Sequence, residues 1–319
     1  MIMNLTEEES QGFYARGSHT ENILFASFYI LVFLVAVPTN SLALWVFCRQ
    51  VINSPSKLFL RHLAIADVSY VLILPMRIVY HFSDSSWPFG DVPCRLVGFL
   101  FYLNMYGSLY LMAFISLDRL FALVLPLRSR SIRRVLYAKV VVFFLWVTVT
   151  VSMAPLLFSN KRMITIQVNN NTAVVMCYQL YLENTSVKSL VSTVVAFTIP
   201  LLTVLGSYIL ILLRLRGVEQ QEKPFRSKAM RMIVLIMVNF LVAFVPYHVN
   251  RFIYILRHTQ THMKTDTIKV LALANRVTSA VTCVSGVLDP VMYFFLARTY
   301  QSLLLQLFCR RTFQPPPDL

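Results

Sequence analysis

Two carboxylates, Asp67 and Asp289, stand in otherwise apolar stretches of the chain. An ionised side chain in hydrocarbon is costly, so each marks a site by default. Asn104 and Ser108 lie one helical turn apart, and Ser285 lies one turn before Asp289. Two carboxylates, an amide and two hydroxyls form an oxygen-rich set that suits a small hard cation, sodium above all. Without a cation, like charges oblige one carboxylate to keep its proton. The bland alternative is a hydrogen-bonded polar core with no ion.

Two arginines, Arg77 and Arg251, also interrupt apolar runs. Tyr247, His248 and Arg251 share one helical face, as do Tyr102 and Tyr106, with Phe101 and Met105 alongside. Cations walled by aromatic rings suit an anion with an apolar body, because guanidinium pairs carboxylate or phosphate in bidentate fashion. The competing reading has both arginines snorkelling, or paired with Asp84 or Asp91. Asp118-Arg119-Leu120 closes another apolar run. There an acid can hold its neighbouring arginine in one rotamer and later release it. No nucleophile with a base, and no His/Cys ligand spacing, rises above chance, so enzymatic chemistry and a metal cofactor are not expected.

The elements that position these groups follow from hydropathy. Of 319 residues 57% are hydrophobic and 13% charged, where soluble chains carry about 25% charged. Mean hydropathy is +0.65. About 20 apolar residues cross a bilayer as a helix. Seven stretches qualify: 22–48, 57–81, 93–125, 136–158, 187–213, 229–257 and 267–296. The expected architecture is an all-α membrane protein, a seven-transmembrane bundle over 22–296. A terminal segment 1–21 precedes it, and 297–319 follow. Within the latter, 297–308 has the pattern of an amphipathic eighth helix on the membrane surface. Cys309 at its end is an acylation candidate. No cleavable leader is expected, since the first 21 residues are polar and acidic. Pro38, Pro75, Pro155, Pro200, Pro246 and Pro290 fall inside spans and predict kinks or hinges.

The net charge of +15 is a matter of sidedness here, not of nucleic acid. Lys and Arg crowd the loops that are cytoplasmic if residue 1 is outside, Arg128 to Arg134 and Arg214 to Arg231 among them. The sequons at Asn4, Asn170 and Asn184 then fall outside and are glycosylation candidates. Of five cysteines only Cys94 and Cys177 fall in outer segments, so one disulfide is expected. Before Cys177, Ile164, Ile166 and Val168 alternate with polar residues, and an Asn-rich turn follows. That predicts a β-hairpin in the second extracellular loop.

Several marks in register resemble the rhodopsin-like G-protein-coupled receptors. They are Asn40, Leu63 to Asp67, Asp118-Arg119-Leu120, Trp146, Pro200 with Tyr208, Phe244-Val245-Pro246 and Asp289-Pro290-Val291-Met292-Tyr293. Trp87-Pro88-Phe89-Gly90 and His248-x-x-Arg251 resemble the nucleotide and cysteinyl-leukotriene branch. The resemblance implies a plasma-membrane receptor that binds a small anionic extracellular ligand and engages a heterotrimeric G protein, the inhibitory class being the branch's commonest. It implies ligand contacts at Arg77, Tyr102, Tyr247 and Arg251, and adds Tyr106, His248 and Arg276 to the lining. It also implies rearrangement of Asp118, Arg119, Tyr208, Phe244, Pro246, Pro290 and Tyr293 on activation, with an allosteric sodium ion among Asp67, Asn104, Ser108, Ser285 and Asp289. Departures are Leu120 for an aromatic, Phe244 for a tryptophan, Asp289 for an asparagine, and no second pair of outer cysteines. The altered toggle and switch residues point to high basal activity.

A peptide or chemokine receptor of the same fold is the alternative, and Glu7, Glu8 and Glu9 are its support. The basic cup opposes it, because such ligands are themselves basic. A transporter predicts internal repeats or glycine-broken half-helices. Eight glycines and no visible repeat argue against that.

Overall fold

A computed structural model describes residues 15–125, 133–158, 163–169, 172–181, 186–216, 231, 233–259, 265–296 and 300–302. The sequons at Asn4, Asn170 and Asn184 and the acylation candidate Cys309 lie outside the described residues. So does the eighth helix, save for residues 300–302, which are helical.

Among the described residues seven helices are long and apolar enough to cross a membrane: His19–Arg49, Pro55–Phe82, Asp91–Val124, Val135–Phe158, Val187–Arg214, Ile233–Arg257 and Asp266–Phe295. The first is α1 (His19–Arg49); Ser18 and Glu21 cap it reciprocally, side chain to backbone. The second is α2 (Pro55–Val71) then α3 (Leu74–Phe82). The third is α4 (Asp91–Val124); the fourth is α5 (Val135–Met153) with α6 (Pro155–Phe158). A hairpin, β1 (Met163–Asn169) and β2 (Thr172–Cys177), leads into α7 (Tyr178–Tyr181). The fifth span lies in α8 (Val187–Arg216). The sixth passes through a π-helical turn, Phe240–Phe244, into α9 (Val245–Thr259). The seventh is α10 (Thr265–Thr282) then α11 (Ser285–Leu296).

Helix α4 is the pole of the bundle, with buried residues from Cys94 to Asp118 along its length. Helix α5 buries only Ala138, Val142, Leu145 and Val149, one stripe at spacings of three and four. Its other faces carry exposed Phe143, Phe144 and Val151. Such an apolar exterior is what lipid contact requires.

The prolines do not act alike. Pro75 has no N–H for the carbonyl of Val71, and α2 ends there; α3 restarts with Pro75 in its first turn. Pro38 and Pro200 sit inside unbroken helices. Pro246 follows the widened π turn, which sheds the strain of its ring. Pro290 cannot donate to the carbonyl of Gly286, and Asn40 does so instead: its Nδ2 donates to that oxygen at 2.7 Å. One buried amide on α1 thus satisfies the group that a proline orphaned on α11.

The hairpin is antiparallel, pairing Met163 with Cys177 and Ile166 with Val174. Ile164 and Ile166 are buried and Thr165 and Gln167 exposed, as the alternation requires. Cys177 is bonded to Cys94 at the outer start of α4. The next four residues, Tyr178 to Tyr181, are all buried in the mouth of the bundle. Gly98 makes room for them: a Cβ there would sit 2.6 Å from Cβ of Gln179.

Candidate functional site

Arg251, on the second turn of α9, donates Nη1 to the hydroxyls of Tyr102 at 2.8 Å and Tyr247 at 3.0 Å. Tyr247 also donates to Tyr102 at 3.2 Å. Helical spacing explains the grip, since Tyr247 and Arg251 are four apart. Tyr106 stacks one turn below Tyr102, with ring centroids 6.4 Å apart. His248 does not join the arginine. Its Nδ1 donates to the Phe244 carbonyl at 2.8 Å, and its ring stacks on Phe197 at 4.2 Å. It therefore packs toward α8, one turn above Phe244.

Arg77 is 0% exposed. Its guanidinium faces the rings of Phe101 at 4.7 Å, Tyr181 at 5.7 Å, Tyr29 at 5.8 Å and Tyr70 at 6.0 Å. Nη1 donates to the Tyr29 hydroxyl at 3.1 Å, while Nε and Nη2 make no hydrogen bond. The proposed partners are engaged elsewhere, Asp84 with His19 and Asp91 with Arg95. Phe101 stands between the two arginines, its ring 5.8 Å from that of Tyr247.

From Arg77 a hydrogen-bonded chain runs outward. Tyr29 meets Tyr181 at 3.2 Å, Tyr181 meets His81 Nε2 at 2.8 Å, and His81 Nδ1 meets Asn22 Oδ1 at 2.9 Å. Asn22 Nδ2 then donates to the Gly17 carbonyl at 3.3 Å. One set of protons satisfies every link, each hydroxyl donating to the next and His81 being neutral. Burial pushes the Tyr181 hydroxyl above its ordinary range, so it holds its proton and donates. Tyr29, His81, Tyr181 and Asn22 were absent from the sequence candidates. The one available signal was that His81 follows Arg77 by four residues.

Arg276 stands over the ring of Phe25 at 4.9 Å, and Phe25 in turn stacks on His81 at 5.1 Å. Nη2 pairs with Glu21 at 2.9 Å, and Nη1 donates to the Ala15 carbonyl at 3.3 Å. Glu21 thereby caps α1 and binds the seventh span to the first, in the region where a second disulfide is missing.

Deeper in the bundle Tyr293 donates to Asp67 Oδ2 at 2.8 Å, and Asn239 donates to Asp289 Oδ1 at 2.7 Å. The other oxygen of each carboxylate, Asn104 Nδ2 and Ser108 Oγ make no hydrogen bond. Ser285 Oγ donates to the Thr282 carbonyl at 2.9 Å, leaving its lone pairs. Asn239 is an unforeseen member of this cluster.

At the cytoplasmic end Asp118 is not held chiefly by Arg119, whose Nη2 lies 3.9 Å away. Arg133 grips it in bidentate fashion, Nε to Oδ1 at 2.7 Å and Nη2 to Oδ2 at 3.1 Å. Ser56 links the pair, donating to Asp118 and accepting from Arg119. Tyr208 is half-buried on α8, and Tyr293 packs edge-on to Phe47 at 5.3 Å.

The geometry is a cationic, aromatic cluster toward the outer side, a buried polar middle and an arginine–aspartate cluster at the cytoplasmic end, carried on seven spans. Residues 39–293 match the family described as 7 transmembrane receptor (rhodopsin family). The human uracil nucleotide/cysteinyl leukotriene receptor is 50% identical over 298 residues, 93% of this chain and 80% of that one. A rat purinoceptor is 32% identical over 283 residues, 86% of this chain and 74% of that one. Mouse lysophosphatidic acid receptor 6 is 31% identical over 288 residues, 88% of this chain and 82% of that one. With its seven spans and family motifs in register, the chain belongs to the rhodopsin family of seven-transmembrane receptors.

Proposed function

We propose that this G-protein-coupled receptor takes an extracellular nucleotide, nucleotide-sugar or cysteinyl leukotriene, with Arg251 and Arg77 serving the ligand's acid groups. Arg77 carries the reading. A wholly buried guanidinium with two donor nitrogens unbonded, and no acid partner among the described residues, is costly unless an anion completes it. The names of the relatives, which span nucleotides, leukotrienes and lysophosphatidic acid, support an anionic ligand. Membership of the family makes the chain a multi-pass plasma-membrane receptor rather than an enzyme. The switch of Asp118, Arg119, Ser56 and Arg133 is the part that a G protein, of the inhibitory class in this reading, must unlock. Basal signalling without agonist belongs to the same reading, on the strength of Phe244 at the toggle position.

A G-protein dissociation panel tests this. Uracil nucleotides and cysteinyl leukotrienes are expected to dissociate the inhibitory trimer, and basic chemokine-type peptides are not. Unliganded cells are expected to show lower cAMP than cells expressing an Arg119→Ala variant. Activation by basic peptide alone would replace the reading with a peptide receptor.

An allosteric sodium ion fits the middle cluster. Asp67, Asp289, Asn104 and Ser108 supply oxygens, and two of the carboxylate oxygens accept no hydrogen bond. A hard cation there offsets the repulsion between two neighbouring carboxylates. Sodium is expected to lower agonist affinity in the wild type. The Asp67→Asn variant is expected to lose that dependence while still binding ligand. An undiminished sodium effect in the variant would place the ion elsewhere.

A further inference from the structure

A pocket opens on the cytoplasmic side of the fourth span, away from Arg77 and Arg251. Its volume is about 290 Å³, and its walls are Phe59, Phe114, Phe121, Tyr137, Ala138 and Val141. Arg133 and Arg134 stand at one end, with Asp118. The carboxylate is already met by the bidentate contact of Arg133, so the three groups leave one positive charge. Arg134 is exposed and has no partner among the described residues. It is also the N-cap residue of α5, whose start has no side-chain cap, so the unpaired backbone N–H groups there add to the positive field. Tyr137 is 51% exposed and Val141 39% exposed, so this wall faces the bilayer. Tyrosine at that height is typical of the headgroup boundary.

We propose that this groove is a binding site for an anionic phospholipid of the inner leaflet. Its phosphate rests on Arg134 and the start of α5, and one acyl chain enters the aromatic cleft between α4 and α5. Charge complementarity selects the occupant. A neutral lipid or a sterol would leave Arg134 facing the low-dielectric boundary without a counter-ion, whereas the cytoplasmic leaflet supplies anionic headgroups at that depth. A soluble anion would match the arginine but leave the apolar walls unused.

The test uses the full-length receptor in nanodiscs of phosphatidylcholine with a minor fraction of phosphatidylserine. Native mass spectrometry counts the phosphatidylserine that stays bound after the lipid is stripped. Arg134→Gln is expected to lower retention about fivefold, the worth of one cation near an anionic surface. Val141→Trp fills the cleft from its lipid-facing side, keeps the charge, and is expected to lower retention as well. Lys139→Gln removes an exposed cation from the same helix outside the groove. It is expected to leave retention unchanged. Equal losses for Arg134→Gln and Lys139→Gln would mean diffuse charge attraction and overturn the site. So would full retention in Val141→Trp, or equal binding of chain-free glycerophosphoserine.

Discussion

Replacing Arg251 by alanine is expected to cut the potency of an acidic agonist about 100-fold, with surface expression preserved. The magnitude follows from the chemistry. Losing one partner of a desolvated charged pair costs about 3 kcal/mol, which is about two orders of magnitude in affinity. Expression is expected to survive because Nη1 of Arg251 bonds two hydroxyls, Tyr102 and Tyr247, which remain bonded to each other at 3.2 Å without it. Arg251→Lys tells charge from shape: an ammonium keeps the attraction but not the bidentate fork, so it is expected to restore only part of the potency. A dose-response curve for Arg251→Ala that overlays the wild type, at matched surface density, would show that the acid group binds elsewhere. Arg77 is the other candidate for that role, but its alanine variant is less clean, since it leaves a cavity ringed by Tyr29, Tyr70, Phe101 and Tyr181.

The spans were legible because lipid is a uniform solvent. Any apolar run of sufficient length satisfies it, whatever its neighbours. The hairpin was legible from alternation, and the disulfide from topology. What remained hidden depended on pairings between distant helices. The sequence groups Arg77 and Arg251 in one cup but does not announce that Phe101 lies against both parts of it, 4.7 Å from the Arg77 guanidinium and 5.8 Å from the Tyr247 ring. Nothing local announces that Tyr29, His81 and Tyr181, from three separate elements, meet beside Arg77. Arg276 lies on the expected span yet is claimed by Glu21, 255 residues away. Asp118 beside Arg119 looks self-sufficient in sequence; a helix, however, points adjacent side chains about 100° apart. The acid thus turns to Arg133 and Ser56. The break after Val71 was visible as Pro75, but Pro38 and Pro200 show that a proline alone does not decide whether a helix parts.

Removing the disulfide is expected to be the most damaging change on the outer face. Cys94 and Cys177 are 83 residues apart, and chain-entropy reasoning for a loop of that size gives about 4.5 kcal/mol. That value is an upper bound, because the loop contains most of the third span and all of the fourth, which stay inserted when the outer contacts are lost. The larger consequence is positional. Tyr178 to Tyr181 follow Cys177 at once, and Tyr181 covers Arg77 while bonding Tyr29, His81 and, through its carbonyl, Asn275. Without its anchor Tyr181 relies on these polar contacts, each worth about 1 kcal/mol, to stay against water. The double variant Cys94→Ser with Cys177→Ser is therefore expected to lose high-affinity agonist binding and most of its surface expression. Each single variant is expected to match the double rather than half of it, because one bond is being counted, not two residues. Cys283→Ser, a buried cysteine beside the Arg77 cluster, is expected to leave expression near wild type and serves as the control. If the double variant reaches the surface and binds agonist with unchanged affinity, the hairpin does not position Tyr181. The cover over Arg77 would then have to come from Tyr29, Tyr70 and Phe101, on α1, α2 and α4.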